Sequence, residues 1–275
     1  MIYFQVFLNR HLTFMFSILL VLFTKQTEIN ASCDIVYHIA TLNNWEEIVS
    51  DQLSTLEKSG LGDACDSISV TVVGTEIDKV YLHFKNLPFL NKVRIYHCSP
   101  ELEQYEFPGI EKVLLIANQK PDTQILYMHT KGVLHYGSQR EQNVRQWRKY
   151  MEYFTIERWQ DCLEALTDAN MCGVDLSVSP KGIYYSGNFW WAKASYLSTC
   201  KLDRTSRYSC EDFIGTGDNP IPKTLHQSGE NPDILRLFPR AQFPQYYHGN
   251  PNEPYFQGIM NLYNFCYSDE YYRNN

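Results

Sequence analysis

Four groups of side chains in this sequence have types and spacings suited to chemistry. The first is His129-Thr130-Lys131-Gly132, which follows the apolar run Ile125–Met128 without a break. A strand that ends on an imidazole and an ammonium group places them at the tip of an α/β sheet, where ligands bind. A lysine there neutralises a diphosphate, and Gly132 lets the backbone approach it closely. The second is the basic start of the next helical stretch, where Arg145 and Arg148 lie one turn apart beside Trp147. The third is YYSGNFWWAK, Tyr184–Lys193. Phe189, Trp190 and Trp191 are consecutive and cannot all face one core, so at least one ring is expected to line a cleft. Indole faces stack on sugar C–H surfaces or bases, and Asn188 both donates to and accepts from hydroxyl groups. The fourth is the carboxylate pair Glu211-Asp212 in RYSCEDFIG, a candidate general base. Each group has a plainer reading: a surface loop, a solvated helix face, an aromatic core, and ordinary surface charge.

The elements that must position these groups follow from periodicity. CDIVYHIA (Cys33–Ala40) reads as a buried strand that ends in the polar loop TLNN. Trp45, Ile48, Val49, Leu53 and Leu56 then recur at helical spacing, and Gly60 closes the helix. Ile68–Gly74, Lys92–Cys98 and Ile125–His129 are further strands, with a helix expected over Gly109–Gln119. Strands alternating with helices predict a mostly parallel sheet flanked by helices. A long helical region is expected over Glu141–Ala169, with Trp147, Met151, Phe154, Trp159, Leu163 and Leu166 at steps of three to five. CGVDLS reads as a short strand, and YYSGNFWWAKASYL as a strand or turn leading into a helix. From Asp203 onward the Pro, Gly and Tyr content reads as an irregular C-terminal cap.

The chain has 275 residues, 44% of them hydrophobic, enough for one sizeable core, so residues 33–275 are expected to form a single domain. Residues 1–32 read as a signal peptide. Arg10 and His11 precede an apolar run, Leu12–Thr24, shorter than the roughly 20 residues of a bilayer span. A short type II membrane anchor is the alternative, because Met1–Leu8 is also apolar. The domain is therefore expected in the secretory pathway lumen or outside the cell, with no stable membrane span once the peptide is cleaved. Eight scattered cysteines without a CxxC pair exclude zinc-site spacing and suit disulfides, with Cys200–Cys210 the first candidate pair. A net charge of −7 and the lack of a basic stripe weigh against nucleic acid as a partner.

The order of these features resembles the GT-A class of nucleotide-sugar glycosyltransferases. It is closest to small families with a Y-x-H-T-K-G strand end and an S-G-N-F-W-W segment, here Tyr127–Gly132 and Ser186–Trp191. The resemblance runs from Asp34 to about Gly215 and implies a GT-A-like (Rossmann-like) fold. It implies transfer of a sugar, with inversion, from a nucleotide-sugar co-substrate to a glycan or other hydroxyl acceptor. Glu211 or Asp212 would be the base, and His129, Lys131 and Arg148 would meet the donor diphosphate. Thr41 and Asn43, after the first strand, would hold the nucleotide, and Gly187, Asn188, Trp190 and Trp191 the sugar and acceptor. One feature departs from the class. GT-A enzymes commonly carry D-x-D after the fourth strand, where two carboxylates hold a divalent cation such as Mn2+ against the diphosphate. His129-Thr130-Lys131 stands there instead. Two accounts stay open: Lys131 with Arg148 does the cation's work, or His129 ligates a metal together with His248. The missing D-x-D also raises an alternative, a catalytically inactive secreted carbohydrate-binding protein on the same fold. A hydrolase with paired carboxylates would need a second acidic cluster.

Overall fold

The computed structural model describes residues 32–179 and 182–228. Residues 1–31 of the expected targeting segment, the candidate ligand His248, Cys266, and the expected cap beyond residue 228 lie outside the described residues.

β1 (Cys33–Thr41) buries Ile35, Val36, Tyr37 and Ile39 in succession. An apolar run of this kind, interrupted only by the buried His38, belongs to a parallel strand covered on both faces. α1 (Trp45–Lys58) buries one face, including Trp45, Ile48, Val49, Leu53 and Leu56, and Gly60 follows it at φ +73°. The short α2 (Leu61–Ala64) leads to β2 (Ser67–Gly74), and α3 (Ile77–Phe84) leads to β3 (Val93–Ser99). α3 buries only Val80 and Phe84, too short an apolar pattern for the sequence reading to mark. α4 (Phe107–Gln119), with Pro108 in its first turn, leads to β4 (Gln124–His129).

The single helix expected over Glu141–Ala169 is two. α5 (Glu141–Glu152) passes into a π-type turn, Tyr153–Glu157, before α6 (Trp159–Asp168). The five-residue step from Phe154 to Trp159 in the apolar stripe coincides with that wider turn. β5 (Met171–Val174), β6 (Leu176–Ser179), β7 (Gly182–Tyr185) and β8 (Trp190–Lys193) follow, then α7 (Ala194–Leu197), α8 (Ser209–Asp212) and β9 (Pro222–His226).

The architecture is α/β: a seven-stranded, mostly parallel, Rossmann-like sheet flanked by helices, in the order β3-β2-β1-β4-β8-β5-β9. β6 and β7 form a separate antiparallel ribbon. β9 pairs parallel with β5, so part of the segment expected as an irregular cap enters the sheet itself. Among the described residues no helix is long and apolar enough to cross a membrane.

β8 runs antiparallel to both of its neighbours, β4 and β5. Its register pairs Tyr127 with Trp190 and Leu126 with Trp191. The reversed direction brings the residues before it, Ser186–Phe189, to the C-terminal tip of β4. Two motifs about sixty residues apart in sequence meet there for that reason.

Candidate functional site

A cleft of ≈ 650 Å³ opens where β1, β2 and β4 end, lined by His38 and Ala40 of β1, Val73 of β2, and His129 to His135 at and beyond the end of β4. β1 lies between β2 and β4: the chain winds outward from β1 through β2 to β3, then crosses back to β4 on the other side of β1. Crevices at such switch points bind ligands in open α/β sheets.

Lys131 lines the cleft, its Nζ 4.4 Å from the centroid of the Trp147 ring. No carboxylate pairs with this ammonium group among the described residues, so a cation–π contact alone partners it. The loop that presents it is fixed from behind. Gln52 donates to the carbonyl of His129 (3.0 Å), and Arg148 Nη1 donates to the carbonyl of Lys131 (3.0 Å). Gly132 follows at φ +108°, and a Cβ there would lie 3.3 Å from Arg148 Nη1. Arg148 itself is 2% exposed and lies 3.4 Å from the buried Glu152 carboxylate. Its expected place at the diphosphate is corrected: it is committed to an ion pair beneath the loop and positions Lys131.

His129 lines the floor of the cleft. Its Nε2 donates to the carbonyl of Gly187 (3.0 Å), since a carbonyl can only accept. Burial, reinforced by the nearby Lys131 charge, lowers its pKa from 6.5 to about 3, so the ring is neutral. The Glu106 carboxylate 3.5 Å from Nδ1 is thus a polar neighbour and not an ion-pair partner.

Two carboxylates meet in the cleft. Glu211, on α8, lines it and has no hydrogen-bond or ion-pair partner for its side chain among the described residues. Asp212 does not line it, because Ser179 Oγ donates to its Oδ1 (2.7 Å) and ties it to β6. The second carboxylate is Glu106, which the sequence reading missed. It accepts from Tyr127 Oη (2.9 Å) and Asn188 Nδ2 (2.8 Å) just before α4 begins. Its only local signal is its place before Phe107-Pro108; both donors come from later in the chain.

The SGN segment is a turn. The Asn188 N–H donates to the carbonyl of Tyr185 (3.0 Å), and Gly187 (φ +89°) and Asn188 (φ +60°) both take left-handed backbone. A Cβ on Gly187 would lie 2.3 Å from Met151 Sδ. Gly187 lines the cleft, whereas Asn188, Phe189, Trp190 and Trp191 are fully buried. The expectation that one of these rings lines a cleft is corrected. Neighbouring strand residues point to opposite faces, and both faces here are covered. Trp190 joins the core with Tyr127 and α4, while Trp191 donates to the Thr155 carbonyl of the π-type turn (2.8 Å). Trp190 Nε1 donates to Asn188 Oδ1 (2.8 Å), so both hold Glu106 without facing the cleft. The indole in the cleft is Trp147.

Thr41 and Asn43 also turn away. Thr41 Oγ1 donates to the Val73 carbonyl (3.3 Å), and Asn43 Nδ2 to the Val133 carbonyl (2.6 Å). Their loop meets the cleft through Ala40 and Leu42. Among the described residues no three His, Cys, Asp or Glu side chains gather as a metal-ion site, so His129 gains no set of fellow ligands here. Cys33, Cys65, Cys98, Cys162, Cys172, Cys200 and Cys210 are free thiols. The expected Cys200–Cys210 bridge is absent, since Cys200 packs by Tyr196 and Gly217 while Cys210 faces Glu106.

Residues 36–204, more than half of the chain, match the family described as a domain of unknown function, DUF8361. The chain belongs to this family. The matched DUF8361 segment holds Glu106, His129, Lys131 and Gly187, and Glu211 lies beyond its end. No curated protein matches the chain. Among solved structures, the DUF8361 protein is similar to a 4-diphosphocytidyl-2C-methyl-D-erythritol synthase from Anaerococcus prevotii. That likeness has 10% identity, a TM-score of 0.40, and covers 79% of this chain and 97% of that one. It is also similar to galactosyltransferase LgtC, crystallised with donor and acceptor sugar analogs, at 10% identity, TM-score 0.41 and 83% of each chain. Both likenesses are too distant to assign an activity.

Proposed function

We propose that this DUF8361 protein is a glycosyltransferase that moves a sugar from a nucleotide-sugar donor to an acceptor hydroxyl. The observation that carries the reading is an unpaired ammonium group, Lys131, and an unpaired carboxylate, Glu211, lining one cleft at the C-terminal strand tips. Lys131 offsets charge on the departing diphosphate, and Trp147 holds it in place. Glu211 removes the acceptor proton, and attack opposite the leaving group inverts the anomeric carbon. Glu106, held by Tyr127 and Asn188, orients sugar hydroxyls.

The test is a thermal-shift screen against UDP-, GDP- and CMP-sugars, followed by turnover with the donor that binds. E211Q should keep the donor-induced shift and lose roughly a hundredfold or more in turnover, the usual share of a general base. K131A should lose the shift itself. A parent protein that binds sugars, shows no donor shift and turns over no donor is instead a carbohydrate-binding protein on the same fold. That reading is favoured by the exposed tyrosines at the cleft mouth.

A further inference from the structure

The mouth of the cleft, on the side of Glu211, is built from Tyr105, Arg207 and Tyr208. Tyr105 is 43% and Tyr208 55% exposed, a large aromatic surface to leave in water at the rim of one cavity. Tyr105 also holds a left-handed backbone, φ +47°, which is unusual for a bulky side chain and concentrates at ligand sites. The Arg207 guanidinium lies 4.6 Å from the centroid of the Tyr208 ring, and its Nη2 donates to Tyr208 Oη (2.6 Å). No carboxylate forms an ion pair with Arg207 among the described residues. Most of its five N–H donors therefore face solvent at the cleft mouth, in the planar fork that fits an oxyanion. Glu211 follows Arg207 by four residues, and its N–H bonds the Tyr208 carbonyl (3.0 Å), which keeps the three residues on one short segment.

We propose that Tyr105, Arg207 and Tyr208 form a subsite for an anionic sugar, with the sugar ring against tyrosine and its acid group on the guanidinium. Ring C–H faces stack on the aromatic surface, and the fork takes two oxygens of a carboxylate, sulfate or phosphate substituent. The guanidinium also offsets the repulsion that Glu211 would exert on a negatively charged acceptor. Arg207 and Lys131 both line the cleft, so donor and acceptor anions have separate cations. The acceptor role rests on the glycosyl-transfer reading; the binding of an acidic sugar does not.

Three disaccharides with the same neutral unit separate these claims: one uncharged, one ending in a hexuronate, one carrying a sulfate. Their affinities are titrated at low salt on the parent protein, R207Q, R207K and Y208A, and the donor-induced melting shift is recorded for each variant. At least one acidic sugar is expected to bind about tenfold or more tighter than the uncharged one, in line with a charge-assisted hydrogen-bond pair. R207Q should erase that ratio, R207K should keep part of it, and Y208A should weaken all three sugars, while the donor shift stays. Which acidic sugar is preferred tells carboxylate from sulfate. Equal affinities for all three disaccharides, or an acidic preference untouched in R207Q, overturns the subsite and leaves the donor reading in place. Acidic preference lost in R207Q with no donor shift in any variant upholds the subsite and sinks the donor reading.

Discussion

His129 sits where strand, turn and cleft meet, and its burial has a measurable cost. In the folded chain its pKa is about 3 against an ordinary 6.5, and that of His38, also lowered by burial, is about 4. Between those values and 6.5 the unfolded chain binds protons that the folded chain refuses. Stability is therefore full above pH 6.5 and falls as pH drops, by about 1.4 kcal/mol per pH unit for each such group. Urea unfolding between about pH 7 and pH 5 should show that decline, and H129Q should flatten its slope. An unchanged slope in H129Q would show that its ring titrates normally. At this scale much of the site was legible. Lys131 stood out because a polar tetrad abruptly ends an apolar run, and Glu211 because of its place after an aromatic segment. Glu106 was invisible because its meaning comes from Tyr127 and Asn188, each more than twenty residues away. Arg148 misled for the opposite reason: its local spacing suggested an open helix face, and only the Glu152 and Asp51 carboxylates beneath the loop show its true place.

Elements explain why one turn matters. The Ser186–Phe189 segment reaches the tip of β4 only because β8 runs backwards, and Gly187 is its tightest point. G187A puts a methyl group against Met151 at a left-handed φ, so a loss of roughly 1–3 kcal/mol is expected from backbone strain alone. The displaced carbonyl would also release His129, so donor affinity should fall together with the melting temperature. N188A removes one of the two donors that hold Glu106, leaving Tyr127, and adds the strain of alanine at φ +60°, so it should reduce turnover more than donor binding while lowering the melting temperature. The strands and α1 were readable in the sequence because their apolar periods are long. The break in the Glu141–Ala169 helix was written in one five-residue step and passed over. The two tryptophans were misplaced because strand alternation shows that neighbours diverge, but not that both faces of the sheet are covered.

At the scale of the molecule, the sheet is sealed well enough to protect its thiols. Cys33, Cys65, Cys162, Cys172, Cys200 and Cys210 are buried, and burial raises the pKa of Cys33, Cys65 and Cys200 to about 12. Cys98, on β3 at the edge of the sheet, is exposed. Brief alkylation of the native protein, read by peptide mass spectrometry, should mark Cys98 well before those six, which become reactive only in denaturant. The reversed strand β8 has one more consequence, for biosynthesis. A growing polypeptide that has emerged only as far as α6 already carries Lys131, Trp147 and Glu106, while Gly187 and Glu211, which complete the cleft, are still to be made. Completion of the cleft is thereby postponed until the last third of translation, so an interrupted product would carry the ammonium group of Lys131 without the carboxylate of Glu211.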